Sequence, residues 1–264
     1  PPARGRVVLI FQPAEETGDG AAGVVADPRY AAIRPDFAFS LHNLPGTPLG
    51  HVRLKSGVVN CASRGLRVVL EGRTAHSSMP ETGTSPMAAV SALMPALVKL
   101  GGGSFSDDGF AMVTVTHAEM GEAVFGIAPG RAEVWATLRT RLDERMAGLC
   151  AAAEALVADV AAQEGLRHAI DYHEIFVASL NAPEAVEHLR AALDAEGIPH
   201  DEEQLPMRAS EDFGVFGHTS KSAMFFLGAG TDRPALHNPD YDFPDDLIAI
   251  GARIFMRTAR NLLG

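Results

Sequence analysis

The sequence has little cysteine and little positive charge. Two cysteines, Cys61 and Cys150, lie far apart in a chain of 264 residues, so they build no disulfide framework, and we interpret both as small buried residues without a metal role. Lys and Arg number 22 against 33 Asp and Glu, which gives a formal net charge of -11 at pH 7. Such a chain is poorly suited to bind the phosphate backbone of nucleic acid or an anionic membrane surface.

Long apolar runs are missing as well. The sequence contains no stretch of 18 or more apolar residues and no signal-peptide pattern where it begins, at Pro1. We therefore expect no membrane partner and take the cytoplasm as the location, with the reservation that a segment upstream of Pro1 would carry any targeting signal. With 47% hydrophobic residues, the chain can bury the core of one large or two ordinary domains.

What the sequence does contain is a pair of adjacent carboxylates, Glu15 and Glu16, shortly after the apolar run of residues 7–11. The run predicts a strand buried on both faces, which Pro13 ends. Ligands of open α/β sheets bind at the carboxyl ends of strands. Two like charges are tolerated there when a metal or a proton divides their roles. The alternative is a solvated pair on a loop or in the first turn of a helix.

Two histidines stand at the ends of other strand-like runs. His42 follows residues 36–41, and His237 follows the strand predicted at residues 223–227 after a glycine-containing loop. Asn and a nearby Pro come after each of them. Histidine and carboxylate are usual ligands of zinc and related divalent ions, so Glu16, His42 and His237 form a candidate three-ligand set. A single loop histidine is more often an ordinary surface residue, so the hypothesis depends on all three together.

Five segments follow one another along nearly the whole chain: residues 12–18 (QPAEETG), 41–43 (LHN), 72–80 (GRTAHSSMP), 210–213 (SEDF) and 236–239 (LHNP). Together they resemble one family, the dinuclear-metal amidohydrolases related to aminoacylase, hippurate hydrolase and the indole-acetyl-amino-acid hydrolases.

The resemblance implies roles for particular residues. Glu15 would be the general base, and His76 would steady the transition state. A divalent metal, zinc first with manganese, cobalt or nickel as alternatives, would be bound by Glu16, His42 and His237. The residues implied to lie near the substrate are Asn43, Gly126, Glu211, Asp212 and Asn238. For the segment at 210–213, a helix N-cap is the alternative interpretation.

Two features depart from the family pattern. Relatives begin upstream with a Cys-Gly-His-Asp-Gly-His type segment that supplies further metal ligands, and this sequence does not contain one. We therefore expect the carboxyl-terminal two-thirds of a family member, with a metal site that is incomplete within it. Gly126 stands where relatives often have an Asn that helps to hold the substrate, so we expect a different substrate specificity.

The fold implied by the resemblance is α/β. It combines part of a zinc-exopeptidase-like α/β/α catalytic domain with an inserted ferredoxin-like α+β domain for dimerisation and as a lid. We predict the catalytic part at residues 1–61 and 178–264, with helices at 20–27, 183–196 and 247–262. The inserted domain is predicted at residues 62–177, with strands at 64–71, 111–116, 131–140 and 168–176 and helices at 85–100 and 143–163.

The resemblance implies a metal-dependent amidohydrolase or peptidase that cleaves the amide bond of N-acyl amino acids or dipeptide-like substrates. It also implies a homodimer through residues 62–177 that brings His76 to the partner subunit's active site, where it donates to the oxyanion. The alternative for His76 is a residue of an ordinary surface loop. The competing hypothesis is a catalytically incomplete fragment or remnant that acts as a dimeric binding or scaffold protein. A metal-free hydrolase is disfavoured, because Glu15 and Glu16 are adjacent and cannot flank a scissile bond from opposite sides.

Overall fold

The computed structural model describes residues 2–264, and the chain divides into two compact units. Among the described residues, unit 1 consists of residues 2–60 together with Ser179–Gly264, and unit 2 consists of Cys61–Ala178. The inserted domain predicted at residues 62–177 is shorter than unit 2 by one residue at each end.

Helices and strands alternate along much of the described chain. The helices are α1 (Asp19–Ala26), α2 (Tyr30–Ile33), α3 (Met87–Val98), α4 (Asp143–Gln163), α5 (Pro183–Glu196) and α6 (Asp246–Leu263). The strands are β1 (Phe37–Leu44), β2 (Val52–Arg53), β3 (Gly57–Asn60), β4 (Ala62–Glu71), β5 (Ala75–His76), β6 (Ala111–Met120), β7 (Ile127–Ala128), β8 (Arg131–Thr140), β9 (Arg167–Phe176), β10 (Ser179–Asn181), β11 (His200–Asp201) and β12 (Lys221–Gly228). Short 3-10 helices lie at Glu15–Thr17, Pro80–Thr82 and Asp212–His218.

Unit 2 is built around a four-stranded antiparallel sheet in the order β6-β8-β4-β9. Burial alternates along strand β8, as expected for a sheet with one face covered by helices. Val134 and Leu138 are fully buried, whereas Trp135 between them is 44% exposed. Helices α3 and α4 contribute to the same hydrophobic core as the inward residues of the sheet. Apart from the two-residue strands β5 and β7, the chain order of unit 2 is the predicted strand, helix, strand, strand, helix, strand.

Helix α4 is long and apolar enough to cross a membrane by length and composition alone. Its inner face carries Met146, Leu149 and Val157, each no more than 1% exposed and each part of the core of unit 2. The apolar character of α4 is therefore accounted for by packing against the sheet. Its predicted and observed bounds coincide, because the pattern that specifies it is contained within the helix itself.

Unit 1 has a mixed four-stranded sheet in the order β1-β12-β2-β11, in which β1 and β12 are parallel. Strand β12 is buried on both faces. Ala223, Phe225 and Leu227 pack in one core with helices α5 and α6, while Met224 and Phe226 pack in a second core with α1 and the short helix Asp212–His218. Helices thus cover both faces of the sheet, and the predicted α/β class is confirmed.

The strand predicted at residues 7–11 is wrong. No strand within residues 2–264 pairs with this run, and Leu9 and Phe11 are 77% and 90% exposed. Only Ile10 contacts a core, the one that contains α1. A β-strand exists only when a neighbour accepts its backbone hydrogen bonds, and composition alone does not reveal whether such a neighbour is present.

Candidate active site

Glu15 and Glu16 lie in the 3-10 helix Glu15–Thr17 and not at the end of a strand. This turn is bracketed by two residues with left-handed backbone, Ala14 (φ 57°) and Gly18 (φ 76°). Glu15 is half-buried and Glu16 is exposed. Of the two interpretations left open by the sequence, a short turn and a strand end, the structure has the turn.

Glu15 faces the segment that carries Glu211 and Asp212. One carboxylate oxygen from each of these three residues lies within 4.8 Å of the other two. Burial raises the pKa of Glu15, and the charges of Glu16 and Asp212 raise it further. A hydrogen bond from the side chain of Glu211 acts in the opposite direction. The result is a carboxylate that holds a proton more readily than an exposed one.

Burial, followed by the charges of Glu15 and Asp212, raises the pKa of Glu211 to about 8. In the metal-free chain at neutral pH, Glu211 is therefore mostly protonated and able to donate a hydrogen bond to Glu15. Sequence reasoning placed Glu211 near the substrate but did not predict this protonation, because it depends on burial and on Glu15, which is distant from Glu211 in sequence.

Asp212 is almost fully buried, with 1% of its surface exposed. Its oxygens accept hydrogen bonds from Gln12 Nε2, at 2.7 and 2.8 Å, and from the backbone N–H of Ala21, at 2.8 Å. Gln12 belongs to the quoted family segment but was not predicted as a site residue. The residue at the N-cap of the Asp212–His218 helix is Glu211, which makes no side-chain capping hydrogen bond. Asp212 instead accepts the N–H of Ala21 in the first turn of another helix, α1.

His42 lies near the carboxyl end of β1 with its ring 6.3 Å from that of Phe226 on β12. Its Nδ1 lies 2.6 Å from the backbone oxygen of Asn43. Since a carbonyl oxygen only accepts, Nδ1 carries the hydrogen, and Nε2 of the neutral ring keeps its lone pair. This is the tautomer in which a histidine is prepared to bind a metal through Nε2.

His237 is exposed on the loop that follows β12, with a left-handed backbone (φ 65°). The loop is tied to the end of β1 by Tyr241, whose hydroxyl donates to Asn43 Oδ1 and whose backbone N–H donates to the oxygen of Asn238 at 3.0 Å. Because β1 and β12 are parallel, both histidines belong to the carboxyl edge of the sheet in unit 1. Sequence reasoning missed Tyr241; its one signal is its position four residues after His237.

The ligand set Glu16, His42 and His237 stays a prediction. Within residues 2–264, the group of three or more acidic, histidine or cysteine side chains whose donor atoms converge within 4.8 Å is Glu15, Glu211 and Asp212. The donor chemistry of this edge nevertheless fits a divalent cation, since it combines carboxylate oxygens with an imidazole whose Nε2 is available.

His76 lies in unit 2, on the two-stranded ribbon formed by β5 and β7. The backbone N–H of Ser78 donates to His76 Nδ1 at 3.2 Å, and Ser78 Oγ lies 2.8 Å from the same atom. A backbone N–H only donates, so Nδ1 is the acceptor and the hydrogen of the neutral ring sits on Nε2. The ribbon therefore presents an imidazole N–H donor at Nε2.

Gly126 lies beside this ribbon, where its oxygen accepts the N–H of Ser77 at 3.0 Å. A Cβ added at Gly126 would meet nothing within 4 Å. Its neighbour Phe125 is fully exposed. The glycine is therefore required neither by backbone strain nor by a close approach.

The comparisons with known proteins agree on one family. A model described as Peptidase family M20/M25/M40 matches residues 1–261. The chain is 29% identical over 268 residues to the hippurate hydrolase of Campylobacter jejuni, a match that covers 98% of this chain and 68% of that protein. It is 26% identical to the N-acetyl-L-cysteine deacetylase of Bacillus subtilis, with 98% of this chain and 61% of that protein covered.

Solved structures show the same fold. A dinuclear metal binding peptidase of the M20 family from Bacillus subtilis matches with a TM-score of 0.74 at 20% identity, over 96% of this chain and 64% of that one. The aminobenzoyl-glutamate utilization protein of Klebsiella pneumoniae matches with a TM-score of 0.74 at 20% identity, over 95% of this chain and 60% of that one. The chain thus spans roughly 60 to 68% of the length of these relatives.

Proposed function

Because the chain belongs to peptidase family M20/M25/M40, we propose that it acts as a metal-dependent amidohydrolase on small N-acyl amino acids or dipeptide-like amides. The names of its relatives support this substrate class, since one hydrolyses hippurate and another deacetylates N-acetyl-L-cysteine. The observation that carries the proposal is Glu15, a half-buried carboxylate whose pKa is raised by burial and by neighbouring carboxylates. A carboxylate in that state suits a group that must accept and then return a proton.

Glu15 is the proposed general base. It would take a proton from the attacking water and hand it to the leaving amine, so one side chain serves both halves of the reaction. The neighbouring Glu211, protonated at neutral pH in the metal-free chain, would hold Glu15 in place through the hydrogen bond between them.

Glu16, His42 and His237 are the proposed metal ligands, with zinc as the first metal to test and manganese, cobalt and nickel as alternatives. A bound divalent cation would lower the pKa of a water molecule and polarise the amide carbonyl. Support comes from the tautomer of His42, which leaves Nε2 available, and from Tyr241, which ties the loop of His237 to Asn43 beside His42.

His76 is the proposed oxyanion donor. Its Nε2–H is available because Ser78 occupies Nδ1, and a neutral N–H donor stabilises negative charge that develops on a carbonyl oxygen. We further propose a homodimer through residues 62–177, in which His76 serves the partner subunit's active site, and a cytoplasmic enzyme.

Substrate contacts are proposed for Asn43, Gly126, Glu211 and Asn238. Asp212, which the resemblance also implies to lie near the substrate, is 1% exposed, and its oxygens accept hydrogen bonds from Gln12 and Ala21. The oxygen of the Asn43 side chain already accepts from Tyr241, so its amide N–H₂ is the part left for a substrate or a ligand. At Gly126 only backbone atoms are available, which supports a specificity different from that of relatives with asparagine there.

The test is hydrolysis by the purified chain loaded with zinc or manganese, using N-benzoylglycine and N-acetyl amino acids as substrates. We expect release of free amino acid that a chelator abolishes and added metal restores. Replacement of Glu16, His42 or His237 by Ala should lower the bound metal, and an unchanged metal stoichiometry would argue against that residue as a ligand. A folded, metal-free dimer without hydrolysis would support the binding or scaffold alternative instead.

A further inference from the structure

A buried carboxylate in unit 1 ties together two segments that are far apart in sequence. Asp212 is 1% exposed, and its two oxygens accept three hydrogen bonds, two from Gln12 Nε2 and one from the N–H of Ala21. Gln12 and Ala21 lie on either side of the turn that carries Glu15 and Glu16. Asp212 therefore clamps both ends of this turn.

Apart from the bonds to Asp212 Oδ1 and Oδ2, long-range hydrogen bonds of the turn involve the Glu15 side chain, which accepts from the backbone N–H of Asp212 and from the side chain of Glu211. The residues before it, 7–11, pair with no described strand and are largely exposed. Its backbone bonds are internal: Gly18 N–H donates to Glu15 at 2.8 Å, and Gly20 N–H donates to Ala14 at 3.2 Å. Such bonds shape the turn but do not fix its position on unit 1.

The backbone of Asp212 is itself held in place by core packing. It begins the 3-10 helix Asp212–His218, in which Phe213 and Phe216 are 8% and 5% exposed and pack in the core with Ala21. The turn can therefore be held from outside itself by a side chain that the core immobilises.

The absence of a side chain at Gly20 leaves room for the contacts between Asp212 and the turn. A Cβ at this position would lie 1.9 Å from the oxygen of Pro13 and 3.0 Å from Asp212 Oδ2. Only glycine lets the start of α1, the turn and the carboxylate approach this closely. Gln12, Gly20, Ala21 and Asp212 thus form one packed unit around the turn.

We propose that Asp212 is a positioning residue, which holds the Glu15–Glu16 turn in place through Gln12 and Ala21. The role rests on the proposed function, since Glu15 is the proposed base. It differs from the direct substrate contact implied by family resemblance, and the two roles respond differently to loss of charge.

The test compares Asp212→Ala with Asp212→Asn. Alanine removes all three acceptor contacts. Asparagine keeps an oxygen for the N–H of Ala21, and its NH₂ can donate to Gln12 once the glutamine amide has rotated. A positioning residue is thus rescued by asparagine, whereas a residue that uses its negative charge is not. Gln12→Ala is the milder second variant if Asp212→Ala does not fold, and Asp36→Ala, an exposed aspartate in the same unit, is the matched control.

The deciding measurement is hydrogen exchange of the purified chain without metal. For Asp212→Ala we expect the Ala21 amide and the peptides around residues 12–21 to exchange at least about tenfold faster, because an amide loses its acceptor. Strand β12 should keep its protection, and Asp212→Asn and Asp36→Ala should resemble the unmodified chain. Unchanged exchange around the turn in both Asp212→Ala and Gln12→Ala would overturn the proposal, as would a uniform rise across unit 1.

Kinetics add a second readout. A displaced base lowers kcat by about a hundredfold with little change in KM, and asparagine should restore most of it. If asparagine and alanine both raise KM, Asp212 contacts substrate and the positioning role is wrong. Absence of activity in the unmodified chain would count against the proposed function, while the exchange experiment would still decide the clamp.

Discussion

Unit 2 and the candidate site of unit 1 differ in the sequence distance of the contacts that build them. The sheet of unit 2 closes within Cys61–Ala178, with strands β4, β6, β8 and β9 paired over eight or more residues each. The site of unit 1 depends instead on pairs such as Gln12 with Asp212 and Asn43 with Tyr241, which are about 200 residues apart. Regular pairing makes a rigid scaffold, and sparse long-range hydrogen bonds leave a site whose geometry single substitutions can change.

The largest expected difference between the two regions is in packing. Leu138 of unit 2 is fully buried, whereas Leu9 of unit 1 is 77% exposed. Leu138→Ala should lower the free energy of unfolding by about 2–5 kcal/mol through cavity formation, and Leu9→Ala should change it by less than about 0.5 kcal/mol. Urea denaturation followed by circular dichroism measures both. A cost for Leu9→Ala comparable to that of Leu138→Ala would show that residues 7–11 are packed in solution.

The two units should also respond to pH in opposite directions. In unit 1 the pKa of Glu211 is raised to about 8 by burial and nearby carboxylates, so its contribution to stability is present below about pH 4.5 and is lost as pH rises through 8. In unit 2, hydrogen bonds from Arg67 hold the pKa of Glu133 well below its usual range. The contribution of Glu133 is present at neutral pH and is lost as pH falls.

Denaturation of the metal-free chain between about pH 2 and pH 8.5 measures this contrast, since Glu211 titrates in the upper part of this range and Glu133 in the acidic part. Glu211→Gln should stabilise the chain at pH 8 relative to pH 5 by about 1–3 kcal/mol, because one pKa unit corresponds to about 1.4 kcal/mol. Glu133→Gln should carry a constant cost above about pH 5, and this cost should shrink as pH falls below the ordinary glutamate pKa of 4.5. Parallel pH profiles for the two variants would contradict the assigned environments.

A smaller effect distinguishes two glycines. Gly20 is enclosed by the oxygen of Pro13, whereas a Cβ at Gly126 would meet open space. Gly20→Ala should therefore cost about 1–3 kcal/mol through overpacking, and Gly126→Ala should stay within about 0.5 kcal/mol. Thermal unfolding of the two variants gives the comparison, and equal midpoints would mean that the turn around Glu15 relaxes freely.

The sequence predicted those helices and strands whose apolar periodicity and end signals lie within the element itself. Helices α4 and α5 and strand β8 have the predicted bounds, because their apolar periodicity and their ends are local. The run at residues 7–11 has the composition of a buried strand, yet it has no strand neighbour within the described residues. Composition indicates that a segment is able to form a strand, but a strand also requires a neighbouring strand to share its backbone hydrogen bonds.

The residues of the candidate site could be predicted from the sequence, but their tautomers, protonation states and contacts could not. Motifs identified Glu15, His42 and His76, but ring tautomers and protonation follow from the neighbours each group meets. The N–H of Ser78 donates to Nδ1 of His76 and so places the ring hydrogen of His76 on Nε2. The backbone oxygen of Asn43 accepts from His42 and so places the ring hydrogen of His42 on Nδ1. Asp212 accepts hydrogen bonds from Gln12 and Ala21, which are 200 and 191 residues away in sequence, and no local sequence pattern predicts such a contact.

The central claim is that Glu15 moves the proton while other side chains hold the metal. Turnover and metal content of the loaded Glu15→Gln variant test it, with Glu164→Gln, an exposed glutamate at the end of α4, as the matched control. We expect Glu15→Gln to lose turnover by about a hundredfold or more and to keep the metal content of the unmodified chain. Loss of metal in proportion to activity, or turnover that survives the substitution, would contradict it.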